Sequence, residues 1–233
     1  MPVTTAAEQA GPPGPLLAVP GVYRPGADTL LLVRALCREG FAPGAAVLDL
    51  GTGSGALALC AARLGGRVTA VDAALPAVLA ARLNARRLRQ PVRVRRGDLF
   101  APVVGDSFDL VVSNPPYVPS PGAGVPRRGA ARAWDAGGDG RALVDRVCAG
   151  APAALRPGGV LLMVHSGLCD TGRTLRLLAE GGLRAEVSDR AEIPFGPVLR
   201  SRLDWLAGRG LVRRRSGAGA PWEELVVVRA ERP

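Results

Sequence analysis

A glycine-rich turn limits what this chain can fold into more than any other feature of its sequence. The turn spans Asp49–Gly55, with the sequence Asp-Leu-Gly-Thr-Gly-Ser-Gly, between an apolar run at 46–50 and a helical pattern at 56–64. Glycine lets a ligand approach the backbone closely at the N-terminus of a helix, where the N–H groups point outward. A strand, a glycine turn and a helix in this order predict a nucleotide-type site in an α/β fold.

The rest of the chain continues this alternation of strands and helices. Apolar runs predict strands at 67–71, 92–95, 108–113 and 160–164, and helical spacing predicts helices at 75–88, 141–155 and 171–179. Such alternation predicts a Rossmann-like α/β fold with a mostly parallel sheet covered on both faces. Two further strands are predicted near 183–188 and 224–229, and the second has no helix behind it, so we expect an antiparallel C-terminal edge. An insertion at about 190–222 separates them, with its own helix at 198–207.

Length and composition favour a single domain. A chain of 233 residues can bury one α/β core. Residues 1–20 include a Pro/Gly run and predict a disordered tail, with one domain over 21–233. A first helix begins near Asp28, with Asp28 or Thr29 as its cap. The sequence has no apolar run of ~20 residues and no N-terminal leader pattern, so we expect a cytoplasmic protein.

The cysteines and the histidine do not indicate a metal site. Three of the four cysteines fall in predicted helices and suit a core, and they are far apart in the sequence. His165 is the one histidine, and we interpret it as structural. We therefore expect no metal.

The tetrapeptide Asn114-Pro115-Pro116-Tyr117 directly follows the predicted strand 108–113. An amide or exocyclic amine nitrogen is a poor nucleophile because its lone pair is delocalised. The Asn114 side-chain oxygen and the Pro115 carbonyl are two acceptors on a backbone that two prolines hold extended, and they suit both N–H bonds of such a nitrogen. Tyr117 offers a ring for a planar group to stack on. The motif predicts transfer of a methyl group to a planar nitrogen, whereas a plain turn is the structural alternative.

Acidic residues at other strand ends complete the predicted cofactor site. Asp72 lies about 20 residues after the glycine turn, where NAD and S-adenosylmethionine sites alike have an acid for the ribose diol. Asp98 follows the next strand and suits the adenine amine, while helix capping is the structural alternative for Asp72. Hydride transfer has no use for the Asn-Pro-Pro-Tyr motif, so S-adenosylmethionine is favoured. The candidate cofactor residues from these patterns are Asp49, Gly51, Gly53, Gly55, Asp72, Asp98 and Asn114.

These motifs, together with 22–29 (Val-Tyr-Arg-Pro-Gly-Ala-Asp-Thr) and 134–141 (Trp-Asp-Ala-Gly-Gly-Asp-Gly-Arg), resemble the HemK-type protein glutamine-N5 methyltransferases. The likeness runs from Val22 to Ala230 and is closest to the short branch without an N-terminal helical domain. It implies a seven-stranded class I methyltransferase fold. It also implies that Thr29 joins the cofactor pocket and that Asn114 and Pro115 hold the target amide. The implied substrate is the glutamine of the Gly-Gly-Gln loop of a translation release factor, and the short branch can use a small zinc-binding activator protein.

The charge of the chain keeps other functions open. The net charge is +10 and all 30 basic residues are arginine. The absence of lysine indicates a bias toward G and C codons, yet the arginine clusters at 86–96, 127–132 and 213–215 also suit nucleic acid. The alternatives are therefore an adenine-N6 or guanine-N2 methyltransferase, a small-molecule N-methyltransferase and a cofactor-binding protein without turnover.

Overall fold

The structure, a computed structural model, describes residues 14–122, 124–126, 128–212 and 221–233. The helices are α1 (Ala27–Glu39), α2 (Ala56–Arg63), α3 (Leu75–Arg87), α4 (Val144–Ala154), α5 (Thr171–Glu180), α6 (Pro197–Ser201) and α7 (Leu203–Gly208). The strands are β1 (Ala46–Leu50), β2 (Arg67–Asp72), β3 (Val92–Arg96), β4 (Phe108–Ser113), β5 (Leu155–Ser166), β6 (Arg184–Pro194) and β7 (Trp222–Glu231). Short 3₁₀ turns lie at Ala101–Val103, Ala130–Ala133 and Gly167–Cys169.

The strands form one seven-stranded sheet in the order β3-β2-β1-β4-β5-β7-β6. Strands β1 to β5 are parallel to one another, and β7 is antiparallel to both β5 and β6. The predicted α/β class, the mostly parallel sheet and the antiparallel C-terminal edge are confirmed. The chain leaves β1 toward β2 on one side and later returns to place β4 on the other. Ligands of such sheets bind at this reversal, beyond the carboxyl ends of β1 and β4.

Two apolar layers hold the helices against the sheet. On one face α1 and α2 pack Leu32, Leu36 and Ala58 against strand residues such as Val47 and Val112. On the other face, α4 and α5 pack side chains of the same kind against the alternate strand residues. Because successive strand residues point to opposite faces, the mostly apolar central strands contribute side chains to both layers. The four cysteines are free thiols, and three of them are buried.

The C-terminal part differs from its predicted outline. Strand β6 continues to Pro194, so the first residues of the predicted insertion pair with β7 as an ordinary ladder, as in Ile193 opposite Glu223. The predicted helix 198–207 is two short helices, α6 and α7, because the chain turns at Arg202. The side chains of β6 alternate between exposed and half-buried, as an edge strand requires. Residues 213–220 of the predicted insertion lie outside the described residues.

The proposed division into a tail at 1–20 and a domain at 21–233 stays a prediction, and residues 1–13 lie outside the described part of the chain. Within it, the Leu17 N–H donates to the side-chain oxygen of Asn84 on α3. Helices long and apolar enough to cross a membrane are absent from the described ranges.

Candidate active site

A cavity of about 1380 Å³ opens at the carboxyl ends of β1 and β4. Its volume exceeds the ~300–1,000 Å³ of common small-molecule sites, so it has room for a cofactor and a substrate side chain. The predicted site residues that line it are Thr29, Gly51, Gly53, Asp72, Asp98, Asn114, Pro115, Pro116 and Tyr117. Asp49 and Gly55 are not among its lining residues. The strand ends therefore converge as the sequence predicts.

Asp28 is the centre of the hydrogen-bond network in this cavity. Its side chain is only 3% exposed. One oxygen, Oδ1, accepts from the Tyr23 hydroxyl at 3.0 Å and from the Thr29 N–H at 2.6 Å. The other, Oδ2, accepts from Asn114 Nδ2 and from the Tyr117 hydroxyl, both at 3.0 Å. A buried carboxylate needs such donors, and these four come from three separate segments. The expected helix-cap role of Asp28 is wrong: α1 begins after Gly26, and the carboxyl serves the cavity instead.

This network fixes which way the Asn114 amide points. A carboxylate only accepts hydrogen bonds, so the atom of Asn114 that faces Asp28 must be the donor Nδ2. The same Nδ2 lies 3.3 Å from Thr29 Oγ1. The acceptor Oδ1 is thereby turned away from Asp28. Burial and the nearby Asp28 charge raise the pKa of Tyr117 well above its usual value, so its hydroxyl stays a donor.

A second set of contacts, made by the segment 140–141 and by Cys169, fixes the backbone of the Asn-Pro-Pro-Tyr loop. The Cys169 thiol donates to the Tyr117 carbonyl at 3.1 Å. Gly140 has φ +73°, and a Cβ there would collide with the same carbonyl. The Arg141 guanidinium donates to the Cys169 and Asp170 carbonyls and to Thr174 Oγ1, which fixes that backbone. The Gly-Gly-Asp-Gly-Arg segment thus supports the loop physically.

The glycine turn is held by Asp49 from below. Asp49 is fully buried, and its Oδ2 accepts from Thr52 Oγ1 at 2.6 Å and from the Ala58 N–H at 3.0 Å. Burial raises the pKa of this carboxyl to about 7. Asp49 therefore orients the turn and the first turn of α2. Gly51 has φ +72°, and a Cβ at that position would lie 3.8 Å from the Asn114 carbonyl oxygen, in the gap between the two motifs.

The residues around the turn fit S-adenosylmethionine. The Asp72 carboxylate accepts from the Gly53 N–H at 3.0 Å and from the Ala74 N–H at 2.8 Å, which fixes it at the cavity wall with acceptor capacity left for a ribose diol. Burial raises the pKa of Asp72. Asp98 lines the same cavity and pairs with Arg146 at 2.6 Å. A carboxylate with spare acceptors beside an open glycine backbone is what this cofactor requires.

The end of β6 and the residues after it form part of the cavity wall, which the sequence did not predict. Residues 193–194 and 196–199 line the cavity. Arg202 joins this wall to the loop after Tyr117, donating to both Asp135 oxygens at 2.6 and 3.1 Å and to the Pro119 carbonyl at 3.0 Å. Phe195, Leu199 and Leu206 form a small core behind it.

His165 is fully buried at the end of β5. Its Nδ1 lies 2.9 Å from the Ser166 carbonyl oxygen. Burial lowers its pKa to about 4. A histidine that stays neutral and is not among the lining residues fits the structural role predicted for it.

Comparisons with known proteins agree with this site. Residues 16–124 match the family model described as "Methyltransferase small domain". The chain is 32% identical over 181 residues to a protein of Methanocaldococcus jannaschii provisionally named a protein N5-glutamine methyltransferase, and the match covers 77% of this chain and 90% of the relative. It is 41% identical over 152 residues to a release factor glutamine methyltransferase of Gloeobacter violaceus, covering 61% of this chain and 52% of that protein. The chain thus spans nearly all of the archaeal relative and about half of the bacterial one.

Solved structures give the same fold. The E. cuniculi Mtq2–Trm112 complex, responsible for methylation of the eRF1 translation termination factor, matches with a TM-score of 0.57 and 25% identity, over 91% of this chain and 99% of that one. A T. thermophilus 16S rRNA N2 G1207 methyltransferase, solved with AdoMet and guanosine, matches with a TM-score of 0.55 and 24% identity, over 90% and 44%.

The fold and the site together define a class I S-adenosylmethionine-dependent methyltransferase. The chain belongs to the HemK-type family of protein N5-glutamine methyltransferases. The predicted family, enzyme class and cofactor are therefore confirmed.

Proposed function

We propose that this enzyme methylates the side-chain amide of a glutamine in a translation release factor, in the Gly-Gly-Gln loop, in the cytoplasm. Two of the similar proteins support this substrate. One is named a release factor glutamine methyltransferase, and the other belongs to a complex responsible for methylation of a translation termination factor. The roles of the individual site residues are part of this proposal.

The observation that carries the proposal is the fixed orientation of Asn114. With Nδ2 bound to Asp28, Oδ1 is set as an acceptor, and the Pro115 carbonyl is the next acceptor along the loop. Two acceptors held by a buried network take both N–H bonds of a primary amide, which turns its lone pair toward the methyl donor. Preorganised polar groups of this kind stabilise the transition state without moving during the reaction.

The transfer needs little more from the protein. S-adenosylmethionine supplies the methyl group from its sulfonium centre when bound. Asp72 and the backbone at Gly51 and Gly53 would hold its ribose and its amino-acid part, and Thr29 and Asp98 complete the proposed pocket. The amide nitrogen gains a carbon and loses one proton to solvent, while Tyr117 provides the planar surface for the amide.

Transfer of a labelled methyl group tests the proposal. The protein is incubated with labelled S-adenosylmethionine and a cell extract, which is then separated into protein and nucleic acid. We expect label in a protein of release-factor size, and no label with the Asn114→Ala variant. Equal labelling by the variant would refute the role of Asn114.

A small zinc-binding activator protein is the proposed partner. One supporting observation is a row of exposed leucines on α3, Leu75, Leu79 and Leu83, which are 46%, 54% and 51% exposed. Exposed apolar rows of this kind mark contact surfaces. Leu79→Arg should weaken co-purification with the activator and leave the cofactor affinity unchanged; undiminished co-purification would contradict this surface.

A second candidate is methylation of an adenine or guanine amino group. Its supporting observation is that Arg96, Arg128, Arg132 and Arg146 line the cavity. A flipped base would stack on Tyr117, with the arginines on phosphates. Label in nuclease-sensitive material, lost steeply with added salt, would favour this candidate.

A further inference from the structure

Glu223 is a buried carboxyl in the cavity wall that the proposed chemistry does not use. It lies at the start of β7, opposite Ile193 of β6. The residue is 7% exposed and borders the same cavity as Asn114 and Tyr117. Its Oε2 has no hydrogen-bond partner among the described residues. Leaving a buried carboxyl oxygen without a hydrogen bond costs about 1–3 kcal/mol or more in stability. We therefore expect the carboxyl to gain a partner during the catalytic cycle.

The surroundings of Glu223 leave its Oε2 without a donor among the described residues. The Ser166 hydroxyl, at the end of β5, is the side-chain hydrogen-bond partner of this carboxyl. Burial, together with the Asp28 charge, raises the pKa of Glu223 to about 7. The other titratable groups within electrostatic reach, from the N-terminal segment, α1, the Asn-Pro-Pro-Tyr loop and the turn after β5, are Tyr23, Asp28, Tyr117 and Cys169. None of these is a cation, so no positive charge among these groups neutralises the carboxyl.

We propose that Glu223 binds the target polypeptide, its carboxyl group accepting a hydrogen bond from a backbone N–H next to the glutamine that is methylated. This inference rests on the proposed function, because it takes the substrate to be a polypeptide. The two N–H bonds of the target amide are assigned to Asn114 and Pro115, so Glu223 must accept from another donor. A glycine-rich loop provides backbone N–H groups that no side chain shields.

The position of Glu223 also favours a polypeptide over a nucleic acid on this wall. Glu223 and Asp28 are carboxyl groups at the same side of the cavity. Two carboxyl groups repel phosphates and attract N–H donors. A carboxylate that pairs with a backbone N–H forms a charge-assisted hydrogen bond, which is stronger than a neutral one.

Kinetics with a purified release factor test this inference. Glu223→Gln keeps the shape of the side chain and removes its charge, and Glu223→Ala removes the acceptor. We expect the KM for the release factor to rise about tenfold in Glu223→Ala, the effect of losing one hydrogen bond to a charged group, and by a smaller factor in Glu223→Gln, which keeps a neutral acceptor, with kcat changed less than about twofold in both. The matched control is Glu224→Gln, since Glu224 is 41% exposed and pairs with Arg190 at 2.8 Å. The control should keep the wild-type KM.

Further measurements separate binding from a general structural effect. Calorimetric affinity for S-adenosylmethionine should be unchanged in both variants. In the wild type the KM for the release factor should rise as the pH falls through about 7, where Glu223 takes up a proton, and in Glu223→Gln this dependence should disappear.

Two results would overturn the assignment. An unchanged KM in both variants would show that Glu223 does not contact the substrate. A fall in kcat at constant KM would show that Glu223 acts in the chemical step instead. If the wild type failed to methylate any release factor, the proposed function itself would fail, and this inference with it.

Discussion

Replacing Asn114 by alanine should abolish most turnover while the affinity for S-adenosylmethionine falls much less. The substitution removes Oδ1, which we assign to one N–H of the target amide, and a single such contact in a transition state contributes about 3–4 kcal/mol, or a factor of about 100–1,000 in kcat. It also removes one donor from Asp28. That carboxylate keeps the Tyr23 and Tyr117 hydroxyls and the Thr29 N–H, so the fold should lose only about 1 kcal/mol.

The assay is steady-state methyl transfer at saturating cofactor, with cofactor affinity measured separately by calorimetry. Tyr117→Phe is the matched control, because it removes a different donor from Asp28 and leaves the Asn114 amide bound to the same carboxylate. We expect the control to lose less than about tenfold in kcat, because the lost hydroxyl donates to Asp28 and not to the target amide. An Asn114→Ala variant with a kcat within tenfold of the wild type would show that Asn114 does not hold the target amide. A variant whose whole defect lies in cofactor binding would show the same.

Other substitutions test the parts that support the site. Gly140→Ala should displace the Tyr117 carbonyl and lower kcat at least tenfold by shifting the loop, with α-helix content by circular dichroism unchanged; full activity would contradict the packing. Arg202→Met leaves Asp135 unpaired and should cost about 3 kcal/mol in urea unfolding, while an unchanged midpoint would show that the pair contributes nothing. Asp49→Asn tests the pKa shift. Asp49 holds its proton to about pH 7 when folded, so its contribution to wild-type stability falls from about pH 4 to 7; the variant should gain melting temperature relative to the wild type over that range, and parallel curves would contradict this.

The sequence predicted the elements whose signal is local. Strands 46–50 and 108–113 have the predicted bounds, because each is a mostly apolar run with turn residues beyond its end. The convergence of the glycine turn, Asp72 and Asn114 followed from a general rule about parallel strands, and it holds in the structure.

The features that escaped prediction depend on contacts between distant parts of the chain. Asp28 reaches Asn114 and Tyr117 across 86 and 89 residues, and nothing in the local pattern separates that role from helix capping. Glu223 and Glu224 are identical neighbours in the sequence. Only the pairing of β7 decides that Glu223 borders the cavity and that Glu224 lies on the exposed side of the strand. The end of β6 was misplaced because its alternating half-polar residues give a weak strand signal.

Mapping the methylated atom decides whether the enzyme acts on the side-chain amide of a glutamine. Purified release factor is incubated with the enzyme and labelled S-adenosylmethionine, then digested, and the peptide from the Gly-Gly-Gln loop is fragmented by mass spectrometry. We predict one added methyl group on the side-chain amide of that glutamine, and we expect this methyl group to be absent when the Asn114→Ala variant is used. A methyl group on any other residue, or label only in nucleic acid, would contradict it.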